Sequence, residues 1–310
     1  MDRVRIFHIY DLAFFLNKKN TIFCLNNWIL FTNNQLSFLK YLIDFFGLIS
    51  TEITAVCFGS SRVYYWIGQI DVDSRLSSAW INWLIAGEDA DSSTLPLLLE
   101  YLIKEAGEAQ MKTLAVVLDE THWFCSAFRQ IGFSVISKQT VWKITPPVVP
   151  CLENWREVSV DPFDEYDLFY QAQIPPLIRQ LGSNWKKPRI YALKKENQVV
   201  ACAKVEVIKN KVYIEPVFHP VIDNPGNALI QLASAVCAIP GMELRISIPG
   251  FQAWMTESLL NEGFQVESRQ IVFVKNLAEK VYDPVPSFLF EQNALRPIGT
   301  HQYHTIEKAK

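Results

Sequence analysis

Glu215 and His219 stand four residues apart in "VYIEPVFHP", a carboxylate and an imidazole near the end of one apolar run. Either side chain can take a proton from an ammonium group, directly or through water. Directly downstream, "DNPGNA" (residues 223–228) opens a stretch of helical periodicity. Backbone N–H groups at a helix start point at an anion, and glycine lets the backbone come close. Gly226, Asn227 and Ala228 could therefore cradle a phosphate. The same letters also make a plain helix cap, with Asp223 or Asn224 at the N-cap and Pro225 in the first turn. Likewise Glu215 reads as a surface-facing strand carboxylate and His219 as a strand-end residue. At this stage both readings of each residue stand.

Other chemistry-bearing stretches carry less. "HQYH" (301–304) has a spacing that could hold a metal, but no clear third ligand accompanies it and it reads as part of a tail. His122, after "DE", is most simply a helix-start residue. "SIPG" lacks a nucleophile elbow, and no dinucleotide fingerprint or Walker loop is present. The six cysteines show no CxxC spacing and sit mostly among apolar residues, as free thiols in a reducing cytoplasm do. No metal site is expected.

Composition narrows the classes. The 310 residues are half hydrophobic and carry a net charge of −3. A chain this close to neutral lacks the basic footprint of a nucleic-acid binder. No signal peptide is read, because Asp11 and "NKKN" interrupt the first apolar stretch. No run reaches the roughly 20 apolar residues of a membrane helix. The expectation is a soluble cytoplasmic protein, apart from nucleic acid and membrane. The aromatic strands "VYYW" and "WINW" read as core or domain interface.

The chain repeats itself. "FRQIGFSVISKQTVW" (128–142) matches "LLNEGFQVESRQIVF" (259–273), with Gly132 and Gly263 131 positions apart. At that offset, residues 111–141 show eight identities in 31 positions, against roughly two expected from composition. An offset so long makes each copy a domain. The join falls in "TPPVVPCLENW", whose prolines resist helix and central strand. This predicts an N-terminal domain over 1–147, a second over 155–278 and a tail over 279–310.

Both copies predict the same elements. In the second, "REVSV" is a strand and Pro162–Ala172 a helical stretch. "RIYALKK", "VVACAKVEVI" and "KVYIEPVF" are strands, followed by a helix over 227–238. "ELRISI", a helix over 251–260 and "FQVESRQIVFVK" complete it. The first copy shows "VYYWIGQID", "SAWINWLIA", the helix "LPLLLEYLIKEA", "TLAVVL", a helix over 122–131 and "FSVISKQTVWKI". It opens with the strand "VRIFHI" and a helix, and an insertion falls near "NTIFCLNNWILFTNNQ". Pro216 beside Glu215 predicts a bulge or a splayed strand.

This order, ending in an "xGF" turn before the last strand, resembles the GNAT superfamily of acyl-CoA-dependent N-acetyltransferases. The resemblance covers nearly the whole chain, twice. It implies two tandem α/β domains, each a mixed, mostly antiparallel sheet flanked by helices. In that family the strand-four loop, of pattern Q/R-x-x-G-x-G/A, wraps the coenzyme A pyrophosphate. "DNPGNA" lies on the pattern, with Gly226 and Ala228 kept and Asp223 in place of the amide or cation. The implied cofactor contacts are Val217, Phe218, Asp223, Asn224, Gly226, Asn227 and Ala228. The implied base is Glu215, or else His219. The family often places a tyrosine acid four residues before the "GF" glycine; Phe128 and Leu259 stand there instead. In the first copy the loop positions fall on Ser92, Leu95 and Leu97, so cofactor binding is lost there. The resemblance thus implies acyl transfer from acetyl-CoA or another acyl-CoA to a small-molecule or peptide amine, with the second copy the active one. The alternative is a non-catalytic tandem module for ligand binding or assembly.

Overall fold

The glycine of each "GF" turn adopts a left-handed backbone, with φ of +85° at Gly132 and +84° at Gly263, where any side chain would be strained. The phenylalanine that follows is buried in both copies. Each turn launches a long last strand, β7 (Ser134–Ile144) and β13 (Gln265–Asn276). These come from a computed structural model that describes residues 3–8, 11, 21–26, 52–58, 64–144, 155–158, 165–181, 188–208, 210–236 and 242–277. The chain divides into a compact unit, Met1–Ala278, and the stretch Glu279–Lys310. That stretch, with "HQYH", lies outside the described residues, as do Cys151, Cys237 and the expected join as far as Asn154.

The first copy comprises β1 (Arg3–Ile6), β2 (Thr21–Cys24), β3 (Glu52–Phe58), β4 (Tyr64–Asp73), β5 (Ser78–Ala86), α1 (Leu95–Glu108), β6 (Thr113–Asp119), α2 (Phe124–Gln130) and β7. The second comprises β8 (Trp155–Val158), α3 (Glu165–Gln173), α4 (Pro176–Arg179), β9 (Arg189–Lys195), β10 (Gln198–Ile208), β11 (Lys211–Phe218), α5 (Pro225–Val236), β12 (Glu243–Pro249), α6 (Thr256–Asn261) and β13. A 3-10 segment, Gly250–Met255, takes the first half of the helix expected over 251–260. β3, "EITAVCF", is not among the expected strands.

All the described strands join in one sheet, in the order β1-β3-β4-β5-β6-β13-β7-β12-β11-β10-β9-β8, with β2 paired to β5. The last strands are exchanged: β13 pairs with β6 of the first copy, and β7 with β12 of the second. β7 and β13 pair with each other antiparallel, and Gln139 lies opposite Gln270, its counterpart 131 positions on. The Gln139 Nε2 donates to Gln270 Oε1 at 2.9 Å. A pseudo-two-fold axis therefore passes between these two side chains. Lys275 of β13 reaches into the first copy and donates to the Ile131 carbonyl at the end of α2, at 2.8 Å. The pairing also corrects the gapless alignment. Leu118 faces Ile271 and Ile248 faces Thr140, so β6 and β12 correspond at 130 positions and one residue is gained before Trp254.

Each copy buries its apolar stripe on its own side of the exchange. One cluster packs α1 and α2 on β3–β6, the other packs α5 and α6 on β10–β12. α1 lies so close to the sheet that a Cβ on Gly68 would meet Leu102 Cδ1 at 2.8 Å. The β9–β10 hairpin closes through Glu196 and Asn197, both at positive φ, as a two-residue turn requires. Among the described residues no helix is long and apolar enough to cross a membrane.

Two expectations follow. Fragments 1–147 and 155–278 expressed separately each lose strand partners, so neither should show the cooperative melt of the full chain until the two are mixed. A monomeric fragment that melts with the full chain would contradict the exchange, and calorimetry with size-exclusion chromatography reads it. Burial pushes the Cys24 and Cys202 thiols up to about 12, so few are thiolate at pH 8. Native protein should therefore alkylate at these two positions far more slowly than unfolded protein, as mass spectrometry of iodoacetamide-treated samples would record.

Candidate functional site

β11 and β12 run parallel and pair only from Lys211 opposite Glu243 to Ile214 opposite Ile246. Beyond Ile214 they splay, while β11 keeps its unbroken pairing with β10. Pro216 sits at the splay and not in a bulge. Its backbone faces the open side, so the missing N–H takes no bond from the ladder. The wedge between the strands holds Gln252, which is 2% exposed. The Phe218 N–H donates to Gln252 Oε1 at 2.8 Å, and Gln252 Nε2 donates to the Pro216 carbonyl at 3.1 Å. One carboxamide thus satisfies both backbone groups of the splayed edge.

The first copy repeats the geometry with another filling. β5 and β6 pair only from Ser78 to Trp80 and then diverge. β2 enters the gap and pairs antiparallel with Trp83–Ala86. Leu25 N–H donates to the Asn82 carbonyl, and the Leu25 carbonyl accepts from Val117 N–H at 3.3 Å. The buried Asn26 side chain donates to Asn82 Oδ1 at 2.9 Å. The first wedge is closed by six residues of the chain's own backbone. Asp91 closes the loop that aligns with "DNPGNA" by accepting from Ser93 N–H.

In the second copy the wedge opens onto a cavity of about 610 Å³, roofed by α3 and α4. Lys204 and Glu215 are cross-strand partners on β10 and β11 and both line it. Lys204 Nζ donates to the Tyr170 hydroxyl at 2.7 Å, and Glu215 accepts from the Tyr213 hydroxyl at 3.2 Å. Burial raises the Tyr170 phenol, with Lys204 offsetting part of the rise, so the group stays protonated. Burial opposes the Lys204 ammonium, but Tyr170 and Glu215 outweigh it and hold its value up. Tyr170 and Lys204 are not among the residues the sequence singles out. Their signal is weak: Tyr166 and Tyr170 share a helix face at i, i+4, and Lys204 interrupts an apolar strand.

The remaining expected positions fall outside this cavity. His219 is exposed in the loop after β11, where its Nδ1 accepts from Val221 N–H at 3.1 Å. Val217 lines the cavity, and Phe218 is buried on the α5 side against Trp155. At the start of α5, Gly226 N–H donates to Ser258 Oγ at 2.9 Å and Asn227 N–H to Asn224 Oδ1 at 2.9 Å. Ala228 N–H donates to the Asn224 carbonyl. A Cβ at Gly226 would meet the Ser258 carbonyl oxygen at 2.6 Å, so helix packing requires this glycine. Asp223 points to solvent with its side chain 96% exposed, 3.9 Å from Lys195. In the first copy His122 Nδ1 accepts from Phe124 N–H at the start of α2. Among the described residues no group of His, Cys, Asp and Glu could hold a metal ion.

No family model matches the chain, and no curated protein matches its sequence. Solved structures do. A GCN5-related N-acetyltransferase from Sphaerobacter thermophilus superposes with a TM-score of 0.52 at 15% identity, over 77% of this chain and 85% of that one. A Pyrococcus horikoshii protein classed as an acetyltransferase superposes with a TM-score of 0.54 at 15% identity, over 90% of this chain and 92% of that one. The match over both copies, the splayed parallel pair in each and the "GF" turn before each last strand agree: the chain has the fold of the GCN5-related N-acetyltransferases.

Proposed function

We propose that the second copy transfers an acyl group from acyl-CoA to an amine and that the first copy is its scaffold. The observation that carries this is the splay of β11 from β12, open onto a cavity that holds a carboxylate and a protonated phenol. The wedge residues fit an acyl-pantetheine arm, because Pro216 C=O and Phe218 N–H already hold an amide, that of Gln252. A pantetheine arm carries amides of the same donor and acceptor pattern. Gly226, Asn227 and Ala228 at the start of α5 would face the pyrophosphate, exchanging Ser258 and Asn224 for phosphate oxygens. Asp223 lies out in solvent beside Lys195, where its charge is screened.

Bound acyl-CoA supplies an activated acyl group as a thioester. Glu215 takes the proton from the acceptor ammonium, directly or through water, and the free amine so formed attacks the thioester carbonyl. Tyr170 holds the proton that the departing sulfur needs, which fills the role that Leu259 cannot take. Lys204 donates to the Tyr170 oxygen and would stabilise its phenolate once that proton has gone. The described free thiols suit a reducing, cytoplasmic setting.

A second reading rests on the same hydrogen bonds. The wedge and the helix start have internal partners throughout, as a fold that kept its shape and lost its cofactor would show. The two readings separate on acetyl-CoA. Gln252→Ala leaves Phe218 N–H and Pro216 C=O unpaired, which costs about 1–3 kcal/mol of stability. Under acyl transfer, millimolar acetyl-CoA raises the melting temperature of the native protein, and that of Gln252→Ala by more. No shift in either protein overturns the enzyme reading in favour of the non-catalytic one. Where a shift is found, Tyr170→Phe should cut release of free CoA thiol with an amine panel by about 10²-fold. Acetyl-CoA binding should be unchanged, and a variant with native turnover removes Tyr170 from the reaction.

A further inference from the structure

The cavity beside the second wedge has two unlike ends. One end is polar and belongs to the second copy, with Lys204, Glu215 and Tyr170 on its wall and Asp167 on α3 above them. Glu215 lies across from the Lys204 ammonium, while the Asp167 carboxylate accepts from Gln171 Nε2 at 2.7 Å; Arg179 stands at the exposed rim and donates to the Gln171 carbonyl. The other end is apolar. Its wall is Trp80 of β5, Val117 of β6, Ile136 of β7 and Val272 of β13, packed with Leu181 as one cluster. The exchange of last strands builds this end, since it sets Val272 of the second copy beside Val117 of the first.

The apolar wall is also fixed in place. Trp80 Nε1 donates to the Leu181 carbonyl at 3.1 Å, and Ser78 Oγ donates to the same oxygen at 3.0 Å. These two bonds tie the chain beyond α4 to the first copy. The roof therefore cannot lift away from the apolar end without leaving a buried carbonyl unpaired. Among the described residues the wedge side of the cavity, at Pro216, Val217 and Phe251, lies at its polar end.

From this arrangement the geometry points to an acceptor that is a monoamine on an apolar body. Its ammonium lies at the Glu215 and Asp167 end, and its body lies against Trp80, Val117 and Val272 of the wall built with the first copy. This rests on the second cavity being the acceptor side of the proposed acyl transfer. A volume of about 610 Å³ is of the size that encloses a small organic molecule. A second ammonium at the far end would meet mostly aliphatic and indole carbon, with Ser137 beside Val272 and no carboxylate among the described residues of that wall, and burying an unpaired charge is costly. An aromatic or branched alkyl body, by contrast, gains from every apolar contact that the wall provides. The first copy, whose own wedge is closed, thus still selects the substrate.

The test uses the full chain and three probes: 2-phenylethylamine, 1,4-diaminobutane and 2-phenylethanol, each titrated by calorimetry and by thermal shift. 2-Phenylethylamine should bind at least tenfold more tightly than either of the others. Val117→Phe, which fills the apolar end, should abolish that binding. Glu215→Gln should reduce the preference for the amine over the alcohol while the alcohol still binds. Equal binding of the diamine, or no binding of 2-phenylethylamine at 10 mM, overturns the assignment. Acetyl-CoA titrated into the same samples keeps the two conclusions apart. Amine selectivity without an acetyl-CoA shift sinks acyl transfer and leaves the cavity standing as a binding site for apolar monoamines. An acetyl-CoA shift without amine selectivity does the reverse.

Discussion

The antiparallel pairing of β7 with β13 is the contact on which the rest of the molecule depends. Each last strand leaves the strand before it in its own copy, β6 or β12, and fills the place beside the other copy's. The two copies thereby become halves of one sheet, related about Gln139 and Gln270. A strand exchange of this kind removes two sheet edges that would otherwise be exposed, one from each copy. It also moves apolar side chains across the boundary. Ile271 and Phe273 belong to the second copy in sequence and to the first copy's core in space. The apolar cavity wall described above is a further product of the same crossing, because Val272 alternates to the opposite face.

Much of this was legible in the sequence and some was not. The repeat, the "GF" turns and most strands could be read, because glycine at positive φ and period-two apolar runs leave a local signature. A break at Glu215–Pro216, as a bulge or a splay, was legible for the same local reason: a proline cannot donate to a ladder. The exchange was not, since β7 and β13 have the same pattern whichever sheet they join. Pairing partners are a choice made between distant segments. β2 was likewise hidden, its four strand residues "TIFC" sitting inside a longer apolar run broken by asparagines.

The candidate site divides along the same line. Glu215 could be picked out because its neighbour breaks the pattern. Tyr170 and Lys204 could not, because their meaning comes from a 2.7 Å contact between a helix and a strand 34 residues apart. Gln252 is the sharper case. In sequence it is an ordinary polar residue ahead of "AWM", and only the divergence of β11 from β12 makes it the occupant of a wedge. Gly226 runs the other way. The sequence offers it as a phosphate-approach glycine, while the structure gives it a sufficient reason of its own in the Ser258 carbonyl.

The contrast between the two wedges sets which copy can exchange its filling for a ligand. Opening the first means withdrawing β2. Four strand pairings, the bridge from Leu25 to Val117 and the buried Asn26–Asn82 contact are all lost together. At roughly 1 kcal/mol per hydrogen bond that is a large share of the stability of a domain. Opening the second means rotating one side chain and breaking two hydrogen bonds. An incoming amide of the same donor and acceptor pattern would remake both, so the cost left is the desolvation of that amide, offset by the hydration of the displaced carboxamide. The same backbone geometry therefore has two fates. Where a strand fills the wedge, the copy is committed to being architecture. Where a glutamine fills it, only two hydrogen bonds of one side chain stand between the splayed edge and a competing amide.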